Sequence, residues 1–254
     1  MKRSDNRSPT EHRPVVMTTG FHRNSEGSVL YRTGGTLVLC TASVAEEVPK
    51  WLGEGKGGWL TAEYQMHPRS SPVRREPREG RDRPPKGRTQ EIQRLVGRAL
   101  RSALDLAELG RRTVTVDCDV LEADGGTRTA SISAALVAVA LALHKLGLTG
   151  SARRPLLRDQ VAAVSVGLVD EEILVDLDYR EDSMARVDMN VVATAKGGLV
   201  EVQATAEGQA IERPRFDAML EAALGAIASI LEIQRQSLRH AGVDLDRLLA
   251  PEGA

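Results

Sequence analysis

The sequence predicts a mixed α/β chain of the α+β kind, and three observations carry that expectation. Short runs rich in Val, Leu and Thr, punctuated by glycine, fill the first third. Long segments with an apolar stripe of helical period follow them. The second half then repeats strands followed by a helix. Aromatic residues make up only 3% of the chain, so the core must come from Val, Leu, Ile and Ala, which suits sheet-and-helix packing. A length of 254 residues admits one large domain or two tightly joined halves, and the pattern divides at residues 1–150, 151–245 and a loose tail, 246–254.

Taken in order, residues 14–19, 28–32, 36–45 and 59–66 read as strands, with Gly27, Gly34-Gly35 and the glycines of 53–58 between them. Five prolines (Pro68, Pro72, Pro77, Pro84 and Pro85) then forbid regular structure and predict a long exposed loop over 68–87. A helix is expected from Thr89, acting as its cap, to Leu109, where Gly110 stops it. Ile92, Leu95, Val96, Ala99, Leu100, Ala103 and Leu104 share its inner face. Residues 113–120 alternate as a half-buried strand. After Gly125-Gly126, the stretch 129–146 is apolar nearly all round and reads as a buried helix. Two hairpins follow, 161–169 with 173–179 through Asp170-Glu171-Glu172, and 187–194 with 199–206 through Lys196-Gly197-Gly198. A long helix over 215–241, with Met219, Ala223, Ile227 and Ile230 facing inward, closes the chain.

The net charge of −1 hides an asymmetry. Residues 67–88 hold seven Arg and one Lys against three acids, whereas 170–188 hold eight acids against two Arg. A basic and an acidic segment in one chain point to an anionic partner at one place and a metal or proton site at another. The plain alternative is a solvated basic loop. Residues 1–13 lack the apolar region of a secretory signal. The longest apolar run, 134–143, falls short of the ~20 residues of a spanning helix. Cys40 and Cys118 have no Cys or His neighbour at metal spacing and read as buried free thiols. A cytoplasmic protein without membrane attachment is the expectation. The five His lie in separate elements, and neither a P-loop nor Gly-x-Ser-x-Gly is present, so Ser/His hydrolase and nucleotide-fold readings lack an anchor.

Three constellations could carry chemistry. In Asp124-Gly125-Gly126-Thr127-Arg128-Thr129, two glycines let backbone approach a ligand at a helix start, where free N–H groups and the dipole favour an anion. Thr127 adds a hydroxyl and Arg128 a fork of donors matched to phosphate. The ordinary reading is a tight turn capped by Thr129 or Ser131. Gly87-Arg88-Thr89 is a second Arg-bearing helix start. Asp182 and Asp188, at a junction read as strand-turn-strand, could hold Mg²⁺ through oxygen ligands, or one could protonate a leaving oxygen. An acidic surface turn is the ordinary alternative.

The order of these motifs is more specific than any one of them. Gly58-Trp59-Leu60-Thr61-Ala62-Glu63-Tyr64, Gly87-Arg88-Thr89-Gln90-Glu91-Ile92-Gln93-Arg94-Leu95, Asp124-Gly125-Gly126-Thr127-Arg128-Thr129, Glu181-Asp182-Ser183, Asp188-Met189-Asn190 and Glu201-Val202-Gln203-Ala204-Thr205 closely resemble the bacterial ribonuclease PH family, over 13–234. The resemblance implies a ribosomal-protein-S5-like core and phosphorolytic 3′-to-5′ trimming of tRNA precursors and other RNA 3′ ends, with inorganic phosphate as co-substrate. It implies phosphate binding by Arg88, Gly126, Thr127 and Arg128, catalysis and Mg²⁺ binding by Asp182 and Asp188, and a homo-oligomer, a hexamer built as a trimer of dimers. RNA contacts would come from Arg69, Arg74, Arg75 and Arg78, in a loop whose Pro content and His67 depart from the family's usual pattern. Two rivals are a catalytically silent RNA-binding ring subunit of an exosome-like assembly and a hydrolytic nuclease using the same aspartates.

Overall fold

In the computed structural model, which describes residues 3–53, 55–73, 75, 77–80, 84–151, 154–243 and 245–249, two sheets enclose a central helix. Strands β1 (Val15–Thr19), β2 (Gly27–Thr33), β3 (Thr36–Ala45), β4 (Trp59–Met66) and β5 (Thr113–Glu122) form the first sheet in the order β1-β2-β3-β5-β4. Strands β4 and β5 are parallel, which no tight turn can connect, and helix α1 (Gly87–Ala103) makes the crossover. Helix α2 (Thr127–Lys145) follows, then the two-residue ladder of β6 (Gly150–Ser151) and β7 (Arg154–Pro155). The second sheet holds β8 (Val161–Val169), β9 (Glu172–Val175), β10 (Val187–Thr194) and β11 (Leu199–Ala206), ordered β11-β10-β8-β9, with α3 (Tyr179–Met184) between β9 and β10. Helices α4 (Arg213–His240) and α5 (Leu245–Leu248) complete the chain.

Helix α2 packs on β2 and β3 on one side and β8 on the other, which is why its sequence is apolar all round. It approaches β2 so closely that a Cβ on Gly27 would lie 1.9 Å from the Ala138 carbonyl oxygen. By length and composition α2 could span a membrane, yet 83% of that window is buried inside the protein, as befits a core helix. The face of α4 carrying Met219, Ala223, Ile227 and Ile230 covers the second sheet in a core of its own. Cys40 and Cys118 are buried free thiols, as expected, and face each other across β3 and β5 with sulfurs 3.5 Å apart.

Four expectations need correction. Helix α1 ends at Ala103 rather than Leu109, because Leu104 turns extended and bridges Leu157, while the Asp105 carboxylate accepts the Ala107 and Glu108 amides. Strand β9 stops at Val175: Asp176 takes a positive φ of 54°, and 179–184 is helical, so Asp182 stands on a short helix rather than in a turn between strands. Neither Thr129 nor Ser131 caps α2. Their hydroxyls donate backwards to the carbonyls of Gly126 (2.9 Å) and Thr127 (2.8 Å). The tail is docked as far as Leu249, since Leu248 is buried and its carbonyl accepts the Leu157 amide; 250–254 lie outside the described residues.

Candidate active site

The turn before α2 is built for close backbone approach. Gly125 and Gly126 have φ of 74° and 64°, and a Cβ on Gly125 would lie 2.3 Å from the Leu177 carbonyl oxygen. Gly126 is the left-handed N-cap of α2, and no side chain caps the helix. The first-turn amides therefore keep their donors open at the positive end of the dipole. The Thr127 hydroxyl lies 2.9 Å from that of Tyr64, on β4. Burial pushes the Tyr64 phenol up, so it stays protonated and can donate to Thr127, freeing the Thr127 proton for an acceptor in front of the turn.

Two arginines flank this turn. Arg128, on the first turn of α2, reaches Glu91 of α1 at 3.4 Å and Gln203 of β11 at 3.3 Å, both long contacts that hold it loosely. Arg88 is exposed on the first turn of α1, which also lacks a side-chain cap; Thr89, the expected cap, donates instead to Glu79 at 3.2 Å. Sequence alone cannot bring the two helix starts together. The fold does, since the charges of both arginines act on Tyr64, on Asp182 and on Asp188.

Asp188 lies on β10, opposite Thr205 of β11 and two residues from Asn190, which is opposite Gln203. Residues at a spacing of two share a strand face, so Asp188, Asn190 and Gln203 line the side that Arg128 contacts. Burial raises the Asp188 carboxyl above its usual range. The charge of Asp182 raises it further, and Arg128, the Asn190 amide and Arg88 pull it down. Burial also raises Asp182, with Arg88 and Arg128 opposing, although its side chain remains open to solvent. Among the described residues, neither aspartate makes an ion pair.

Helix α3 is too short to stand alone. Asp178 caps it by accepting the Glu181 amide at 2.8 Å, and Glu181 returns the bond to the Asp178 amide. Arg3 grips Glu181 through Nε at 2.8 Å and Nη2 at 2.9 Å, with both side chains buried. Arg13 grips Asp176. Neither arginine stands out in the sequence; Tyr64 and Gln203 fall within the motifs that carry the resemblance, but nothing there gives them a role. The only signal is an acid, Asp176, in an otherwise apolar run, with three arginines near the N-terminus to match it.

A fit for Mg²⁺ can be judged from the donors. Among the described residues, no group of three or more His, Cys, Asp or Glu is arranged so that it could hold a metal ion. Two carboxylates raised by burial, with Asp182 adding to the rise at Asp188, are a sparse all-oxygen set. Such a set suits a hard cation that keeps several waters and takes phosphate oxygens as further ligands. The loop arginines stand apart. Arg69, Arg75 and Arg78 are exposed, Arg74 lies outside the described residues, and Arg78 acts on Asp119, on the outward face of β5. A polar groove of about 690 Å³ crosses that face, lined by Glu63, Gln65, Asp117 and Asp119.

Comparison with known proteins fits this geometry. The model for "3′ exoribonuclease family, domain 1" matches residues 11–145, and that for domain 2 matches 159–226. Ribonuclease PH of Mycobacterium bovis is 52% identical over 238 residues, covering 93% of this chain and 92% of that protein. Ribonuclease PH of Mycolicibacterium smegmatis is 53% identical over 241 residues, with 93% and 92% covered. Rice (Oryza sativa) Rrp46 superposes with a TM-score of 0.75 at 18% identity, covering 93% of this chain and 100% of that one, a likeness of fold. A chain of the Archaeoglobus fulgidus exosome, solved with RNA bound to its active site, gives 0.74 at 25% identity, with 91% and 92% covered. On these matches the chain belongs to the 3′ exoribonuclease family, within its ribonuclease PH group.

Proposed function

We propose that Arg88, Gly126, Thr127 and Arg128 bind inorganic phosphate in front of the α2 turn, and that Asp182 and Asp188 are the catalytic aspartates beside it. The chain is a phosphorolytic 3′-to-5′ exoribonuclease of the nucleotidyltransferase kind, and phosphate is its co-substrate. One observation supports this assignment most: two uncapped, Arg-bearing helix starts act on the same pair of aspartates.

In the reaction a phosphate oxygen attacks the phosphorus joining the last nucleotide to the chain. The bond from phosphorus to the preceding 3′ oxygen breaks, a nucleoside diphosphate leaves, and the shortened RNA gains a proton on its new 3′ hydroxyl. The open amides of α2 and the Thr127 hydroxyl orient the nucleophile, while Arg88 and Arg128 offset its charge. Positioning and charge stabilisation supply most of what phosphoryl transfer needs. Asp182 and Asp188 would hold Mg²⁺, which when bound neutralises charge on the transferring group. Burial raises both carboxyls above their usual range, and one of them, when it carries a proton, could hand it to the leaving 3′ oxygen.

The substrates on this reading are tRNA precursors with 3′ extensions and other RNA 3′ ends, gripped by Arg69, Arg74, Arg75 and Arg78. The protein works in the cytoplasm as a homo-oligomer, a hexamer built as a trimer of dimers. The resemblance of the motif series to ribonuclease PH supports each of these statements. The test is product identity from a 3′-extended tRNA. Nucleoside diphosphates that appear only with phosphate are expected; monophosphates formed without it would point to hydrolysis and end this reading.

A further inference from the structure

The geometry points to Arg13 as a positioning residue for phosphorolysis, one that fixes the spacing between the phosphate turn and the aspartate-bearing helix. The inference rests on the site assignment above. Arg13 is buried just before β1 and touches both segments at once. Towards the helix, its backbone N–H and Nε donate to Asp176 Oδ2 at 2.8 and 2.9 Å, and Nη2 donates to Asp176 Oδ1 at 2.7 Å and to the Leu177 carbonyl at 3.4 Å. Towards the turn, Nη1 donates to the Asp124 carbonyl at 2.6 Å and Nη2 to that of Gly125 at 3.5 Å.

Three further bonds tighten the same clasp. The Asp124 carboxylate accepts the amide of Tyr179, the first residue of α3, at 3.2 Å. From the far side, Thr36 donates to the Gly125 carbonyl at 2.7 Å and accepts the Asp124 amide at 2.9 Å. The arrangement holds Asp176 in a left-handed conformation that a non-glycine residue adopts only under constraint. A planar fork can bridge a carboxylate and two carbonyl-bearing segments simultaneously. A single ammonium cannot. Arg13 is buried and its bonds go to the chain on either side of the site, so its effect on chemistry runs through the turn carrying Arg128 and the helix carrying Asp182.

The test is Arg13→Lys, which keeps the charge and removes the fork. Steady-state kinetics with phosphate and a 3′-extended tRNA would be measured well below the melting temperature. The expected result is a kcat lower by roughly 10-fold to 100-fold, the scale of a misplacement near 1 Å, with a raised phosphate KM and an RNA KM within about twofold of wild type. Adding Arg13→Lys to Arg128→Ala should cost less than Arg13→Lys costs the wild type, since part of the clasp's effect runs through Arg128's turn. A variant that melts earlier yet keeps wild-type kcat and phosphate KM, or that loses equally in both backgrounds, overturns the proposal. If Arg13→Lys does not fold, Thr36→Val decides: a several-fold version of the same kinetic split supports the clasp, and unchanged kinetics overturn it. Wild-type protein releasing monophosphates without phosphate would instead sink the underlying assignment, a result separable from any Arg13 effect.

Discussion

Arg3, Arg7 and Arg13 crowd the start of the chain with side chains only 2%, 5% and 3% exposed; Arg69, Arg75 and Arg78, in the proline-rich loop, stand in solvent. The first group is matched by acids and carbonyls of the protein itself, chiefly Asp176 and Glu181. Of the loop group, Arg78 acts by its charge on Asp119 across the outward face of β5. Local charge density singles out the loop and overlooks the N-terminal group, because Asp5 and Glu11 dilute it. A charge count finds residues facing water, whereas architectural arginines are marked by the acids they require elsewhere in the chain. Here those acids lie more than 160 residues away, at Asp176 and Glu181.

The sharpest way to break the comparison is Asp176→Asn, which strands a buried guanidinium. Removing one partner of a buried pair costs about 3–5 kcal/mol, measurable by urea unfolding. Burial pushes the Asp176 carboxyl up, but the bonds and charge of Arg13 outweigh it and hold the carboxyl below its usual range. A depressed acid contributes stability that is present above its unfolded value and is lost as pH falls through its folded value. The gap between wild type and Asp176→Asn should therefore narrow in acid. A loss under about 1 kcal/mol at neutral pH would contradict the buried-clasp reading.

Replacing Arg74, Arg75 and Arg78 together by Ala probes the exposed group. Stability should barely move, and the log–log salt slope of RNA binding should fall by about 0.7 for each single-strand phosphate that the loop no longer neutralises. An unchanged slope would leave the loop without an RNA role. The smallest effect is expected from Asp188→Asn. Burial raises this carboxyl, and the charge of Asp182 adds to the rise. A raised acid is a burden that is absent below its unfolded value, grows as pH rises past that value and is complete above its folded value. The variant should accordingly melt slightly higher than wild type at neutral pH, with the difference vanishing in acid. A lower melting temperature at neutral pH would show that the aspartate stabilises the fold instead.

Much of this molecule is legible along the chain. Strands β3, β4, β10 and β11 have the bounds that alternation and glycine punctuation imply, and α2 is buried on all sides as its composition demands. What fails is structure decided by distant partners. Nothing local to Leu104 reports its bridge to Leu157, so α1 looks longer than it is. Nothing near Asp182 reports that a capping box and Arg3 turn 179–184 into a helix. In the site, the glycine turn is readable because close backbone approach requires it, and both helix-start arginines draw notice because a cation there opposes the helix dipole. Their convergence, and the supporting roles of Tyr64, Gln203 and Arg13, depend on the tertiary fold.

On this reading two helix starts close on one phosphate. Its most direct test is the phosphate dependence of nucleoside diphosphate release for wild type, Arg88→Ala and Arg128→Ala. Each variant should raise the phosphate KM about tenfold or more, the scale of one lost charge-assisted hydrogen bond, with the Arg128→Ala rate down on the order of 10²–10³. A wild-type phosphate KM in both variants, with only RNA binding affected, would contradict it.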